Sequence, residues 1–388
     1  MIYTECQALA ARTRLRPFSR LAHRRDVVRQ FTPNWFAMTM GTGIVFLILL
    51  ALPFQFPLQH TLAYGLWLAD SVFYATFLTL FVARLLCFPD TVKPMLDHPV
   101  QSMFLGAIPM GLIPIVNGLT LFGPALFGPS ALSLAECLWW GDAALAVVVA
   151  CLVPYRMFTT QQHSTEQMTA VWLLPVVAPE VAASSAGVLA PHLAAPAAQL
   201  MLATGYVLWA ISVPLAFAIL TIVFLRLVLH KLPHQNMAAS SWLTLGPIGT
   251  GALGLLVLGQ AAPAAFAGSA LAQAAAVARD LGLLGGLLMW GVGIWWLLIA
   301  IVLTLRYWRA GLSFNLGWWG FTFPLGVYTS ATFALYRQTH FLAFAAIGTV
   351  LALALLAFWL LVVSNTFKGM WRGNLFCAPC LANTPGIR

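Results

Sequence analysis

Glu180 is the residue whose type and setting most directly suggest chemistry. It stands between Pro179 and Val181 in the middle of a long apolar run. A carboxyl group at membrane depth is costly and is functional by default. It could carry a proton in step with another ion, or sit as a protonated acid hydrogen-bonded to carbonyls that the neighbouring prolines leave free. Asp142 and Glu136 in one apolar run, and Asp70 in another, are weaker candidates for the same role. All eight histidines, among them His98, His163 and His234, fall in tails, loops or run ends. A metal or catalytic cluster built on histidine at membrane depth is therefore not expected. Cys377 and Cys380 form a lone CxxC with no second ligand pair. The six cysteines suggest no disulfide framework, and tail cysteines without a function are the simpler reading. No nucleophile elbow, HExxH or phosphate-binding glycine loop is present. Neither an enzyme, a metal nor a cofactor is expected.

The elements that must hold these groups are membrane spans. The chain has 388 residues, 61% hydrophobic and 7% charged, with a mean hydropathy of +0.89. Soluble domains carry about 25% charged residues. Continuous apolar runs, rather than alternating ones, predict helices and not a barrel. Ten spans are predicted, near 34–52, 62–87, 101–122, 132–153, 168–190, 198–229, 241–260, 280–305, 316–336 and 340–363. They divide the chain into a basic tail (1–33), a ten-helix transport domain (34–363) and a short C-terminal tail (364–388).

Charge placement supports that count. Arg12, Arg14, Arg16, Arg20, Arg24, Arg25 and Arg29 precede the first span and flank it as a positive-inside signal, not as a nucleic-acid arm. With the N-terminus cytoplasmic, Arg84, Lys93, Arg156, Arg226, Lys231, Arg306, Arg309, Lys368 and Arg372 fall on the same side. Only Arg279 and Arg337 fall on the other. Both termini are therefore expected in the cytoplasm. The arginines at the cytoplasmic mouth would also concentrate anions, although they are topology signals first.

A weak internal repeat runs through the odd-numbered spans. Landmarks at Gly43, Leu112, Pro179, Thr250 and Pro324 recur every ~70 residues, about one helical hairpin. The odd spans carry glycine or proline breaks (Gly41, Gly43, Pro109, Pro114, Pro175, Pro179, Gly249), whereas the even spans read as mostly plain. Irregular backbone at membrane depth is tolerated where protein or water covers it. The pattern suggests five hairpins in a ring, broken arms inward around a central pathway.

The most irregular stretch is Gly317-Trp-Trp-Gly-Phe-Thr-Phe-Pro-Leu-Gly-Val-Tyr328. Trp318 and Trp319 suit the headgroup boundary, and Pro324 is expected to kink the span in its middle. On helical spacing Phe323, Gly326, Val327 and Ser330 share a side. Such a face suits either a narrow lumen or a closely packed neighbour.

This stretch resembles the ninth helix of the tellurite-resistance/dicarboxylate transporter family, which includes malic acid transporters, sulfite efflux pumps and plant slow anion channels. Pro33-Asn-Trp-Phe-Ala-Met-Thr-Met-Gly-Thr-Gly-Ile44 resembles its first helix and Leu174-Pro-Val-Val-Ala-Pro-Glu-Val-Ala182 its fifth. The resemblance alone implies that the ring has a quasi-fivefold axis. It also implies a homotrimer in the lipid bilayer with one pore per subunit, lined by the odd helices. It implies that Phe323 plugs the pore, with Phe321 as the alternative. Pore-lining candidates are Gly41, Gly43, Pro114, Pro179, Gly249, Gly326 and Ser330. The expected substrate is a small anion, a C4-dicarboxylate such as malate or an oxyanion such as sulfite or tellurite. The expected location is a bacterial-type inner membrane. A channel gated by Phe323 and a proton-coupled carrier using Glu180 both remain open, as does, more distantly, a membrane-embedded enzyme or assembly factor.

Overall fold

The computed structural model describes Phe18, Leu21 and residues 23–381. Arg12, Arg14, Arg16, Arg20, Arg388 and Cys6 lie outside the described residues. Ten long helices follow one another: α1 (Phe36–Ala51), α2 (Gln59–Cys87), α3 (Ala107–Phe127), α4 (Ser130–Thr159), α5 (Leu173–Leu189), α6 (Ala195–His230), α7 (Leu245–Ala265), α8 (Ala272–Ala310), α9 (Phe323–Thr339) and α10 (Leu342–Arg372). No strand occurs among the described residues. Among the described residues, nine helices are long and apolar enough to cross a membrane. The exception is α9, whose 17 residues follow a separate 3-10 turn, Leu316–Phe321.

Burial divides the helices into two sets. In α1, α3, α5 and α7, 78–94% of the most apolar window is buried, against 28–33% in α2, α4, α6, α8 and α10. Most of α9, including Pro324, Gly326 and Tyr328, is buried as well. The inner set packs pairwise: α1 on α3, α3 on α5, α5 on α7, α7 on α9, and α9 on α1. Each outer helix packs against the inner helix of its own hairpin and against the inner helix of the next. Small residues permit the close approach. A Cβ on Gly43 would lie 2.2 Å from Pro114 Cβ, and one on Gly249 would lie 2.7 Å from the Tyr328 backbone nitrogen. Membrane helices gain association energy from such contacts, since lipid supplies no hydrophobic drive between them.

The outer helices, read from sequence as mostly free of breaks apart from Pro214 in α6 and the glycines of α8, carry a repeated tie. Each carries a buried or half-buried tryptophan whose indole N–H donates to the inner helix of the following hairpin. The acceptors are Ile115 O for Trp67 (3.2 Å), Ala182 O for Trp139 (2.9 Å), Gly251 O for Trp209 (2.9 Å), Thr332 Oγ1 for Trp290 (2.8 Å) and Thr42 Oγ1 for Trp359 (3.2 Å). A second tie lies seventeen residues beyond the first four tryptophans, at Arg84, Arg156, Arg226 and Tyr307. Arg84 donates to Phe31 O and to Thr91 Oγ1 (3.0 Å), and Arg156 pairs with Asp97. Arg226 donates to Glu166 O (2.7 Å), and the Tyr307 hydroxyl to Pro233 O (2.7 Å). Each joins the end of an outer helix to the segment that precedes the inner helix of its own hairpin.

Three expectations need correction. Pro324 does not kink a helix in its middle: it falls in the first turn of α9, where its missing N–H leaves no bond unmade. Trp319 is buried within the protein, donating to Thr366 Oγ1 (3.1 Å) and packing over Gly41, so it is not a lipid-facing anchor. Cys377 is disulfide-bonded, and Cys380 is buried with its sulfur 3.6 Å from Arg84 Nη2, so neither is an idle tail cysteine.

Candidate functional site: a vestibule ending at Phe323

Every inner helix is entered through a 3-10 turn: Pro33–Trp35, Ser102–Gly106, Ala170–Trp172, Gln235–Met237 and Leu316–Phe321. Local side chains hold three of these turns. Thr169 Oγ1, His234 Nδ1 and Asn315 Oδ1 accept from the backbone N–H groups of Val171, Asn236 and Gly317. Before α3, His98 Nδ1 accepts from Val100 N and Gln101 N, both at 3.1 Å, and burial pushes its imidazole below the usual histidine range.

Residues from all five entries line one narrow cavity. Its wall includes Asn34 and Met40, Phe104 and Met110, Leu174 and Val177, Ser240 and Pro247, and Asn315 with Phe323 and Pro324. The lining is mostly apolar, with Asn34, Asn236, Ser240 and Asn315 as its polar residues and no charged residue among them. The first turns of helices present unbonded N–H groups and about half a positive charge each. Five of them around a low-dielectric space favour an anion without a fixed cation. Arg84, Arg156 and Arg226 do not line this cavity. Their side chains are engaged in the ties described above, so the expected collar of mouth arginines is not what faces an ion here.

Phe323 is the first residue of α9, lines the cavity and is 6% exposed. No aromatic ring pair among the described residues includes it. Phe321, by contrast, is packed against Trp242 (5.9 Å), Trp318 (5.7 Å) and Phe358 (5.4 Å). Gly41, Gly43, Gly249 and Gly326 lie where inner helices touch: a Cβ there would meet Thr322 and Trp319, Pro114, Tyr328, and Ile44 respectively. Pro114 and Pro179 are interior to α3 and α5, and Ser330 is half-buried in α9 among buried neighbours. None of these seven lines the vestibule.

Glu180 is fully buried, and the one polar side chain among the described residues that bears on its carboxyl is Ser212, which interacts with it without meeting full hydrogen-bond geometry. Ser212, on the adjoining outer helix, donates to Val176 O (2.5 Å), one turn before it. Asp70 and Asp142 are likewise buried, without hydrogen-bond partners among the described residues, each three residues after one of the repeated tryptophans, whereas Glu136 is half-exposed. No group of three His, Cys, Asp or Glu side chains suited to a metal occurs among the described residues. Sequence reasoning missed the amides at the cavity mouth. Asn34, Asn236 and Asn315 all fall in the segments that lead into inner helices, and Asn34 and Asn315 each stand nine residues before a repeat landmark, Gly43 and Pro324, which was the available signal.

Comparison with known proteins bears on what such a cavity serves. The model of the voltage-dependent anion channel family matches residues 30–367. The sulfite efflux pump of Arthroderma benhamiae is 39% identical over 363 residues, covering 92% of this chain and 96% of the relative. That of Trichophyton rubrum is 39% identical over the same length and coverage. The malic acid transport protein of Schizosaccharomyces pombe is 22% identical over 344 residues, covering 87% and 77%.

Proposed function

Since the chain belongs to the voltage-dependent anion channel family, a family of transporters and channels rather than enzymes, we propose that it moves a small oxyanion through a pore within each subunit. Sulfite is the first choice, because the Arthroderma and Trichophyton sulfite efflux pumps, at 39% identity, are much more similar to this chain than the malic acid transport protein at 22%. A C4-dicarboxylate is the second. The observation that carries the reading is the cavity walled by residues at the entries of all five inner helices, with Phe323 among them. The pairwise packing of inner helices, with α9 against α1, supports five hairpins in a quasi-fivefold ring within 34–363.

On this reading Phe323 is the gate. An apolar ring in a narrow lumen excludes water, and an ion does not pass a dry constriction. Beyond it the lumen runs along the faces of Pro114, Pro179, Gly249 and Ser330, with Gly41, Gly43 and Gly326 bringing the walls together. The membrane is a plasma membrane with both termini cytoplasmic, as the arginine and lysine asymmetry supports. The Arthroderma and Trichophyton relatives give no support for restricting it to a bacterial-type membrane. The functional unit is a homotrimer of such pores.

A proton-coupled carrier is the second reading, favoured by the fully buried Glu180. Both readings are tested by anion flux in liposomes holding wild type, Phe323→Ala or Glu180→Gln. The gate reading expects passive sulfite and chloride flux to rise more than about tenfold in Phe323→Ala, with or without a pH gradient. Unchanged passive flux there, together with wild-type uptake that follows the proton gradient and is lost in Glu180→Gln, would move the assignment to the carrier.

A further inference from the structure

Asn34 is 7% exposed, lines the vestibule, and has a buried Oδ1 with no hydrogen-bond partner among the described residues. The other two amides of the wall are engaged. Asn236 Oδ1 accepts from Ser313 Oγ (2.8 Å), Asn315 Nδ2 donates to Asn236 O (3.1 Å), and Asn315 Oδ1 accepts from Gly317 N (2.8 Å). Those bonds tie the loop before α7 to the loop before α9. Asn34 ties nothing. A buried polar group with no partner is uncommon and marks a place where a partner arrives.

We propose, resting on the anion-transport reading above, that Asn34 is a specificity-determining residue for an oxyanion that still carries one acidic O–H, such as hydrogensulfite. A primary amide presents two N–H donors and a carbonyl acceptor side by side. A singly protonated oxyanion presents the complement: an oxygen that accepts from Nδ2–H and an O–H that donates to Oδ1. The two groups close a two-point contact at the entry to α1, in the field of the helix N-termini. Chloride and nitrate have no O–H and leave Oδ1 unpaired. A site built to bond a hydroxyl discriminates strongly against an analogue that lacks it.

The test compares sulfite, nitrate and chloride flux through the full-length chain carrying Phe323→Ala, which opens the proposed gate, in liposomes at a pH where hydrogensulfite is abundant. Asn34→Leu replaces the amide with an apolar group of similar size, and Asn34→Ala removes it without any possible clash. The expected result is a fall of about tenfold in sulfite flux in both variants, with nitrate and chloride flux changed by less than about twofold. Retained nitrate and chloride flux reports that the pore is folded. Equal loss of all three anions in both variants, or an unchanged sulfite-to-nitrate ratio, overturns the assignment while leaving anion transport standing. A chain that carries none of the three even with Phe323→Ala in place overturns the transport reading, and this assignment falls with it.

Discussion

At the residue scale, glycine in this chain has two different jobs that its sequence context does not separate. Gly43 is buried against Pro114, where an added methyl would lie at 2.2 Å, and Asp70 Oδ2 stands 2.9 Å away. Gly65 is on the exposed face of α2 with nothing within 4 Å of such a methyl. Replacing a helical glycine with alanine gains up to about 1 kcal/mol when space is free, whereas overpacking costs about 1–3 kcal/mol. Gly43→Ala is therefore expected to lower the thermal midpoint in detergent and Gly65→Ala to leave it level or raise it. Equal shifts for the two would show that the α1–α3 contact is not tight in the folded protein.

At the element scale, the five indole bonds make each outer helix a strap across two hairpins. The span between Trp67 and Ile115, or between Trp359 and Thr42, joins chain segments that local sequence could not bring together. A single neutral hydrogen bond contributes about 0.5–1.5 kcal/mol. Trp139→Phe keeps the aromatic bulk and removes only the donor to Ala182 O, so a modest loss of stability is expected. Trp139→Phe combined with Trp359→Phe acts at separate contacts, and the two losses should add in denaturation measurements. A double variant much weaker than the sum would mean that the straps act as one cooperative girdle.

At the scale of the whole molecule, the outer faces are apolar to an extent that only lipid suits. Leu62, Val72 and Leu86 on α2, Leu288 and Val302 on α8, and Leu353 on α10 are all exposed. Outer helices of 36 and 39 residues, α6 and α8, are also longer than a bilayer core requires; at about 1.5 Å per residue they exceed 50 Å, against a core of about 30 Å. Topology is checked by thiol labelling with a membrane-impermeant reagent. Ala270→Cys, between α7 and α8, should label in intact cells, and Glu166→Cys, between α4 and α5, only after permeabilisation. The reverse pattern would invert the orientation drawn from the basic residues.

Hydropathy along the chain determined the class, an all-helical membrane protein, and roughly where nine helices long and apolar enough to cross a membrane fall among the described residues. These follow from local physics: lipid demands about 20 apolar residues per crossing. Sequence also marked Phe323 and Glu180, because a proline-bounded aromatic and a carboxylate in apolar runs stand out on identity alone. Tertiary structure decided what those residues face. It gave the vestibule to Phe323 and a packed aromatic cluster to Phe321, two residues apart on one strand of sequence. It engaged Arg84, Arg156 and Arg226 in ties and left Asn34 free at the mouth. Such partnerships join residues tens to hundreds of positions apart, and a side chain's identity states what it can bond but not what stands opposite it.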